Sequence, residues 1–405
     1  MEHNRSDRLI DLTPKQRHVV AACYLGWMLD AFDFFILVFV LKDIAAEFSS
    51  SIKSATLAIT LTLAMRPVGA VAFGFLADRF GRRPVLMINV LAYSFLEFAS
   101  GFAPSLMTLI ILRSLYGIAM GGEWGVGASL ALESIPAKMR GLVSGILQTG
   151  YPSGYLFASL VFYFLFPLIG WRGMFMVGII PALLVLYIRR AVDESPSFLA
   201  AAQKKQTFNF ASQVRQHGGI FIWAVLMMTC FNFMSHGTQD MYPTFLEQQR
   251  GLSNHTTATI AVIYNIGAIL GGVTFGFLSN KLGRRRAIVI AALMALPAIP
   301  LWTQAKTSMG LALGAFLIQF FVQGAWGVVP AHLNELSPDG LRAVFPGFAY
   351  QLGNLLASSN ATLQAWIAGG LEGNYAYALA FVAGTAAILL ALLVGFGREA
   401  RGREF

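Results

Sequence analysis

The sequence has few charged residues and few cysteines, and both shortages narrow the possible function classes. Charged residues make up 12% of the 405 residues and hydrophobic residues 56%, against about 25% and about 45–50% in soluble globular domains. With a mean hydropathy of +0.63, such a chain would expose mostly apolar surface in water, which excludes an ordinary soluble enzyme. Cys23 and Cys230 both lie inside apolar segments, so neither a disulfide framework nor a Cys-x-x-Cys metal site is expected.

Motifs for catalysis and for nucleic-acid binding are missing as well. The chain contains no His-Glu-x-x-His and no Gly-x-Ser-x-Gly segment, so we predict no enzymatic activity, no cofactor and no metal site. The net charge is +9, but the basic residues form short clusters between apolar runs. We therefore predict a lipid bilayer as the partner and no nucleic acid.

Apolar runs of about 20 residues, each long enough to cross a bilayer, fill most of the chain. Six precede a polar stretch at 191–218 and six follow it. They lie near 19–41, 55–77, 84–103, 105–134, 141–166, 172–190, 219–246, 256–279, 286–304, 307–336, 343–367 and 375–396. The predicted fold is an all-α integral membrane protein with twelve transmembrane helices. Its predicted parts are an N-terminal six-helix bundle at 1–190, a cytoplasmic linker at 191–218 and a C-terminal six-helix bundle at 219–405.

The two sets of six runs are related by an internal repeat. A shift of 202 residues places the segment 74–83 on the segment 276–285, and it also places Glu133 on Glu335 and Trp124 on Trp326. Six spans return the chain to its starting side, so the halves are predicted to be parallel repeats. In this arrangement 22 of the 29 lysine and arginine residues fall on the side of both termini, which predicts cytoplasmic termini.

The repeated segment joins the second and third helices of each half. Its glycines allow a tight turn, and Asp78 is placed to pair with a helix end or a basic residue in a contact that breaks when the halves rock. A plain positive-inside loop is the alternative interpretation, but duplication favours gating. The predicted gating residues are Gly74, Asp78, Arg79, Gly81, Arg82, Arg83, Gly276, Gly283 and Arg284.

This segment resembles the signature loop of the major facilitator superfamily. Arg113, Gly117 and Gly121, spaced four residues apart, resemble the second motif of that superfamily. The repeat, the twelve spans and the linker match its architecture over essentially the whole chain. Asn280 replaces the acidic residue in the second copy of the loop, so the C-terminal gate is expected to be the weaker one.

Ionisable side chains within spans are costly and are therefore functional candidates. The predicted proton-coupling residues are Asp30, Asp33, Arg113, Glu123 and Asp240, and Arg66 is the predicted carboxylate ligand. We expect Glu133 and Glu335 to form structural ion pairs beside Arg140 and Arg342, and we assign Glu97 no role.

The seventh span carries a polar stripe at helical spacing, from Asn232 through Ser235 and His236 to Gln239 and Asp240. Interhelical hydrogen bonding is one interpretation and a binding cavity is the other. The segment Asn-Phe-Met-Ser-His-Gly-Thr-Gln-Asp-Met-Tyr-Pro-Thr is similar to the signature of lactate/pyruvate:proton symporters within the sialate:proton symporter family. The resemblance implies a role in substrate binding and proton-coupled uptake.

Polar pairs in two further spans are expected to complete a cavity between the halves. They are Gln148 with Tyr155 in the fifth span, and Gln351 with Asn354 in the eleventh. The resemblance to the same symporters extends to the second pair. The predicted substrate-binding residues are Arg66, Asn232, His236, Gln239, Gln351, Asn354, Gln148 and Tyr155.

These residues suggest a mechanism. An arginine in a low-dielectric cavity needs an anion, and its planar fork matches a carboxylate. When the substrate takes the arginine, a released acid binds a proton, so substrate and proton move together. We therefore predict proton-coupled symport of a small monocarboxylate, of the lactate or pyruvate type, by a monomer in a bacterial inner membrane. A sialate:proton symporter and a proton-coupled antiporter that exports an organic solute remain the alternatives.

Overall fold

A computed structural model describes residues 12–203 and 210–405, so the first eleven residues and part of the predicted linker lie outside it. Helices follow all twelve predicted spans, and we number them α1 to α12. The first six are α1 (Pro14–Phe39), α2 (Leu57–Phe80), α3 (Arg82–Ser100), α4 (Leu106–Glu133), α5 (Arg140–Gln148 with Gly150–Val177) and α6 (Ala182–Ala191). The second six are α7 (Gly218–Gln239), α8 (Asn254–Leu282), α9 (Arg284–Ala295 with Ile299–Gln304), α10 (Ser308–Leu336), α11 (Val344–Leu356 with Asn360–Gly370) and α12 (Tyr375–Gly395).

Several spans are broken helices. The segment Gly150–Val177 changes direction at Gly170, whose φ of +62° suits a residue without a Cβ, so residues 171–177 belong to the sixth crossing. Within the described residues, nine helical stretches are long and apolar enough on their own to cross a membrane. The other crossings are α3, with its buried Glu97 and its two leading arginines, and the interrupted α6 and α11.

The repeat is visible in how the helices begin and end. Ser105 caps α4 by accepting a hydrogen bond from the Thr108 amide, and its repeat partner Thr307 caps α10 in the same way. At the opposite end of the bundle, Gly81 separates α2 from α3 with a φ of +107°, and Gly283 separates α8 from α9 with a φ of +93°. We call the end that carries these two glycines the motif end.

Within each half, glycines bring the second and fourth helices into backbone contact. A Cβ on Gly121 of α4 would strike the Arg66 carbonyl oxygen of α2, and one on Gly69 would strike the Ile118 carbonyl oxygen of α4. Gly271 of α8 meets Phe320 of α10 in the equivalent position. Small residues at these contacts allow close helix packing in a membrane, and this packing sets the height of Arg66.

The two halves meet along α2 with α11 and along α5 with α8. Gly74 lies against Val344, and Gly276 lies against Gly141 and Gly145. The expectation that Gly74 and Gly276 form part of the tight turn is therefore wrong. Both are helical, and they serve the close contact between halves, whereas only Gly81 and Gly283 have the positive φ of the turn.

At the end opposite the motif end, an ion pair ties the first loop to the fifth and sixth crossings. Glu47 accepts hydrogen bonds from the Arg172 guanidinium at 2.7 and 3.0 Å and from the Trp171 indole. The Arg172 guanidinium holds the pKa of this carboxyl group below its ordinary value. Glu47 is therefore ionised at neutral pH, and its ion pair with Arg172 is retained.

We expect Gly121→Val to destabilise the protein because the added side chain strikes the backbone of α2. Overpacking of this kind costs about 1–3 kcal/mol, so the midpoint of thermal unfolding in detergent should fall. The matched control is Gly369→Val, where nothing lies within 4 Å of the new Cβ. Equal midpoints for the two variants would show that the α2–α4 contact tolerates a side chain.

Candidate functional site

Six aspartate, glutamate and arginine side chains are almost completely buried inside the N-terminal half. Their relative exposure is at most 2%. Helix α1 carries two of them, α2 and α3 one each, and α4 two. They are Asp30, Asp33, Arg66, Glu97, Arg113 and Glu123. Four carboxyl groups thus face two guanidinium groups, so this cluster, which we call the N-half cluster, holds two more potential negative charges than positive ones.

One ion pair exists in the N-half cluster. Arg113 donates through Nη1 to Glu97, and its guanidinium lies 3.8 Å from the ring centroid of Tyr116. Among the described residues, the carboxylate oxygens of Asp30, Asp33 and Glu123 have no hydrogen-bond partner. A buried carboxylate without a partner is costly. From the sequence we assigned Glu97 no role, and in the structure it is the ion-pair partner of Arg113.

The C-terminal half contributes a histidine dyad. His236 Nδ1 lies 3.1 Å from Asp240 Oδ1, and His236 Nε2 lies 3.0 Å from Asn354 Oδ1 on α11. The side chains of His236 and Asp240 are 35% and 34% exposed, so this part of the α7 stripe faces open space.

The remainder of the α7 stripe bonds to protein. Gln239 donates to Gln319 of α10 at 2.9 Å, and Ser235 accepts from Gln323 at 3.1 Å. Asn232 donates to the Met228 carbonyl of its own helix at 2.7 Å. For these side chains the structure therefore has the interhelical or local bonding that was the alternative interpretation of the stripe.

An aromatic cluster lies between the halves. The Tyr350 ring of α11 is 4.8 Å from Trp124 and 5.5 Å from Trp326, centroid to centroid, and Trp27 is 6.2 Å away. The tryptophans at 124 and 326 are the pair related by the repeat. All four rings are at most 7% exposed, so they form a closed layer that joins both halves.

The other predicted polar residues lie around this layer. Gln148 accepts from the Trp124 indole at 3.3 Å. Gln351 is buried, and its amide has no hydrogen-bond partner within the described part of the chain. Tyr155 packs edge-on against Phe35, with ring centroids 4.9 Å apart.

At the motif end, each half caps a helix of the other half. Asp78 accepts hydrogen bonds from the backbone amides of Ala343 and Val344 at the start of α11, at 3.1 and 3.2 Å. Asn280 accepts from the Gly141 amide at the start of α5, at 3.0 Å. Carboxylate and amide oxygens both accept hydrogen bonds from the free amides of a helix N-terminus. The repeat thus provides two related contacts, and only the one made by Asp78 carries a charge.

Ion pairs support these caps, although not the pairs expected from sequence. Arg82 bonds to Asp78 and Glu133 at 3.0 and 3.1 Å. Arg284 makes a two-pronged contact with Glu335 at 2.9 and 3.0 Å. The expectation that Glu133 and Glu335 pair with Arg140 and Arg342 is wrong in part, because sequence proximity does not set which side chains converge.

Arg140 keeps one of the expected glutamate partners, whereas Arg342 bonds to a different acid. Arg140 reaches across the halves to Glu335 at 3.8 Å, and Arg342 bonds to Asp339 of its own loop at 2.7 Å. Ser129 also crosses between the halves, donating to Asn334 at 2.9 Å. The motif end is thus closed by contacts between the halves.

Two predicted gating residues contribute less directly. Arg79 is exposed and lies near the Phe80 ring. Arg83 donates to the Arg189 carbonyl at 2.6 Å and its amide donates to Glu194. The contacts with Phe80 and Arg189 stay within the N-terminal half, whereas Glu194 belongs to the predicted linker.

Sequence reasoning missed several residues of this site. Glu97 lies within a span, so the rule that flags ionisable residues in membranes applies to it as to the others. Gln319 and Gln323 are four residues apart on α10 and share a face, which is a polar-stripe signal like that of α7. Asn334 and Glu194 carry no comparable signal in the sequence.

We expect Asp78→Asn to loosen the motif end, because the side chain loses its charge toward both the α11 amides and Arg82. A single cysteine at Ala70, buried beside Gly347 of α11, reports opening in a background with Cys23 and Cys230 replaced by alanine. Its alkylation should be about 5-fold faster, since a charged hydrogen bond contributes about 1.5–3 kcal/mol before competing contacts compensate.

Asp43→Asn is the control for this measurement, as Asp43 lies in the short helix Leu41–Glu47. An alkylation rate that Asp78→Asn leaves unchanged would remove this carboxylate from the gate.

Comparisons with known proteins agree with this architecture. The family model of the Major Facilitator Superfamily matches residues 23–359 and, in a second match, 240–404. The sialic acid transporter NanX of Escherichia coli is 29% identical over 95% of both chains. A carboxylic acid transporter protein homolog of Saccharomyces cerevisiae is 28% identical over 94% of this chain and 68% of its own length.

Solved structures share the fold. A double tryptophan mutant of XylE superposes with a TM-score of 0.80 at 20% identity, over 96% of this chain and 97% of that one. The expected twelve-helix fold of two six-helix repeats is confirmed. The family consists of membrane transporters and not of enzymes. The chain belongs to the major facilitator superfamily.

Proposed function

We propose that this protein is a secondary transporter that moves a small organic acid together with protons, by alternating access. The observation that carries the proposal is the N-half cluster, in which four buried carboxyl groups face two guanidinium groups. Such a cluster approaches neutrality only by binding protons. The relatives add support, because one is named for sialic acid and another for carboxylic acids.

The substrate site in this proposal lies between the halves. Arg66 binds the carboxylate, since its Nε and Nη2 have no partner among the described residues and a guanidinium fork matches a carboxylate. His236, Asp240 and Asn354 approach from the C-terminal half. A ligand that contacts both groups links the two halves, which is what alternating access requires.

Coupling follows from charge balance. With Arg66 engaged by the substrate, Asp30 and Glu123 lose a nearby positive charge and bind a proton instead. The loaded N-half cluster is then closer to neutral, so the rocking of the halves moves less net charge through lipid. We propose the units 1–190 and 219–405 as the moving bodies, joined by the linker 191–218.

We further propose a lactate- or pyruvate-type monocarboxylate as substrate, and a bacterial inner membrane with cytoplasmic termini as the location. In this orientation the motif end faces the cytoplasm and is the closed side. A monomer is sufficient, because one chain holds both halves. The α7 segment from Asn232 to Thr244 supports the substrate class through its similarity to lactate/pyruvate:proton symporters.

The test is uptake of labelled lactate, pyruvate and sialate into proteoliposomes, with and without an inward proton gradient and a protonophore. Accumulation of lactate or pyruvate that the protonophore abolishes is the expected result. Accumulation of sialate alone would keep the mechanism and replace the substrate, an alternative that the similarity to NanX favours. Uptake indifferent to the gradient would overturn proton symport and direct attention to antiport.

A further inference from the structure

We propose that Glu97 is a positioning residue that holds Arg113 away from the α1 aspartates and so enables them to bind a proton. The inference rests on the proposed proton-coupled function and adds a residue to it. Arg113 has carboxyl groups near it on two helices, Glu97 on α3 and Asp33 on α1, and the Asp33 oxygens have no hydrogen-bond partner among the described residues. Glu97 is the one that it bonds.

The geometry leaves Arg113 ready for a second partner. One nitrogen, Nη1, is used for Glu97, whereas Nε and Nη2 have no partner in the described residues. Tyr116 lies against the guanidinium at 3.8 Å and the Phe175 ring is 5.6 Å away. After a rotation of this side chain, a second carboxyl group could accept a hydrogen bond from Nε or Nη2.

Glu97 also lies at a place where helix motion reaches it. It is one turn before α3 ends at Ser100, and its side chain touches Gly178 in the turn that precedes α6. A shift of this turn during rocking would move Glu97 relative to Arg113.

Charged and titratable groups surround this pair on three sides. The neighbouring elements contribute Asp30 and Asp33 from α1, Arg66 from α2, Tyr93 from α3, and Tyr116 and Glu123 from α4. The fifth and sixth crossings present Phe175 and Gly178, which are uncharged. Arg113 and Arg66 are therefore the only cations among these named neighbours, and the partner of Arg113 decides how much positive charge Asp33 experiences.

The consequence is a two-position exchange. With Arg113 on Glu97, Asp33 has no hydrogen-bonded cation and binds a proton. With Arg113 on Asp33, that aspartate is ionised and the proton leaves. Glu97 acts through Arg113 and does not contact the substrate, so its loss should change proton coupling more than substrate binding.

The experiment compares wild type with Glu97→Gln in proteoliposomes. Without the glutamate charge, Arg113 bonds to Asp33 instead. A neighbouring opposite charge lowers the pH at which a carboxyl group releases its proton by about 1–3 units. Half-maximal uptake should therefore move toward acid by about one unit or more. Substrate exchange with equal concentrations on both sides, which needs no net proton movement, should stay within about 2-fold of wild type, since binding at Arg66 is untouched.

Two further variants make the result specific. Glu97→Asp keeps the charge but shortens the reach, so it should shift the pH dependence in the same direction and less; it also tests the inference if Glu97→Gln does not fold. In an Asp33→Asn background, Glu97→Gln should cause no additional shift, because the two act through one arginine. Glu247→Gln, at an exposed position, is the control.

A folded Glu97→Gln or Glu97→Asp protein with the wild-type pH dependence would overturn the role of Glu97 while leaving proton symport intact. Loss of exchange equal to the loss of accumulation would also overturn it, since Glu97 would then serve folding or binding. Wild-type uptake that ignores the proton gradient would overturn the proposed function and this inference together. The wild-type control thus separates the two failures.

Discussion

Replacing Arg66 with glutamine should abolish uptake of the labelled acid and leave a folded protein. Arg66 is 2% exposed, and its Nε and Nη2 have no hydrogen-bond partner among the described residues. Glutamine keeps much of the side-chain volume but cannot offer a charged fork to a carboxylate. A lost charged hydrogen bond costs about 1.5–3 kcal/mol, and a two-pronged contact should therefore reduce uptake by about 100-fold or more.

The readout is initial uptake, together with binding of the acid measured calorimetrically in detergent. Both should fall, whereas elution as a sharp peak from a sizing column should be retained. Arg286→Gln removes a charge from an exposed position on α9 and serves as the matched control. Undiminished uptake by the Arg66→Gln protein would exclude this arginine from the substrate site.

Replacing Asp30 with asparagine should strongly reduce proton-driven accumulation and preserve exchange. Asp30 is fully buried, and its oxygens have no partner among the described residues. Asparagine resembles a permanently protonated aspartate in size and charge, so the carrier would reorient without needing a proton. The accumulation ratio under an inward proton gradient should fall toward one, since the proton carried by Asp30 no longer contributes to the driving force.

The rate of exchange of labelled for unlabelled substrate should stay within about 2-fold of the wild-type rate. Asp43→Asn, in the short helix at the opposite end, is the control for this substitution. If Asp30→Asn still accumulates substrate as wild type does, the proton is carried by another acid, and Asp33 and Glu123 are then the candidates to replace in turn.

Much of the fold follows from local properties of the chain. Runs of apolar residues mark the twelve crossings because lipid tolerates neither charge nor unpaired backbone groups. The 202-residue repeat predicts paired features that the structure contains, such as the caps Ser105 and Thr307 and the contacts of Asp78 and Asn280. Breaks within α5, α9 and α11 were not predicted, because short interruptions do not alter average hydropathy.

The candidate site was predictable by residue type and less so by pairing. Intramembrane charge singled out Arg66, Asp30 and Asp33 correctly as buried groups. The sequence pattern does not indicate which face of α7 meets α10. Gln239 was therefore expected in the cavity, whereas in the structure it bonds to Gln319 of α10. A helical stripe defines a face, but the rotation of that face depends on packing against other helices.

The sequence by itself determined the class of protein, the number of spans and the relation between the halves. These depend on composition, length and spacing along one dimension. The tertiary structure alone decided that Arg113 bonds Glu97, that Arg284 bonds Glu335 and that Asp78 caps α11. Those partners are 16, 51 and 265 residues apart in the chain, and only helix packing sets which of several buried charges come within bonding distance.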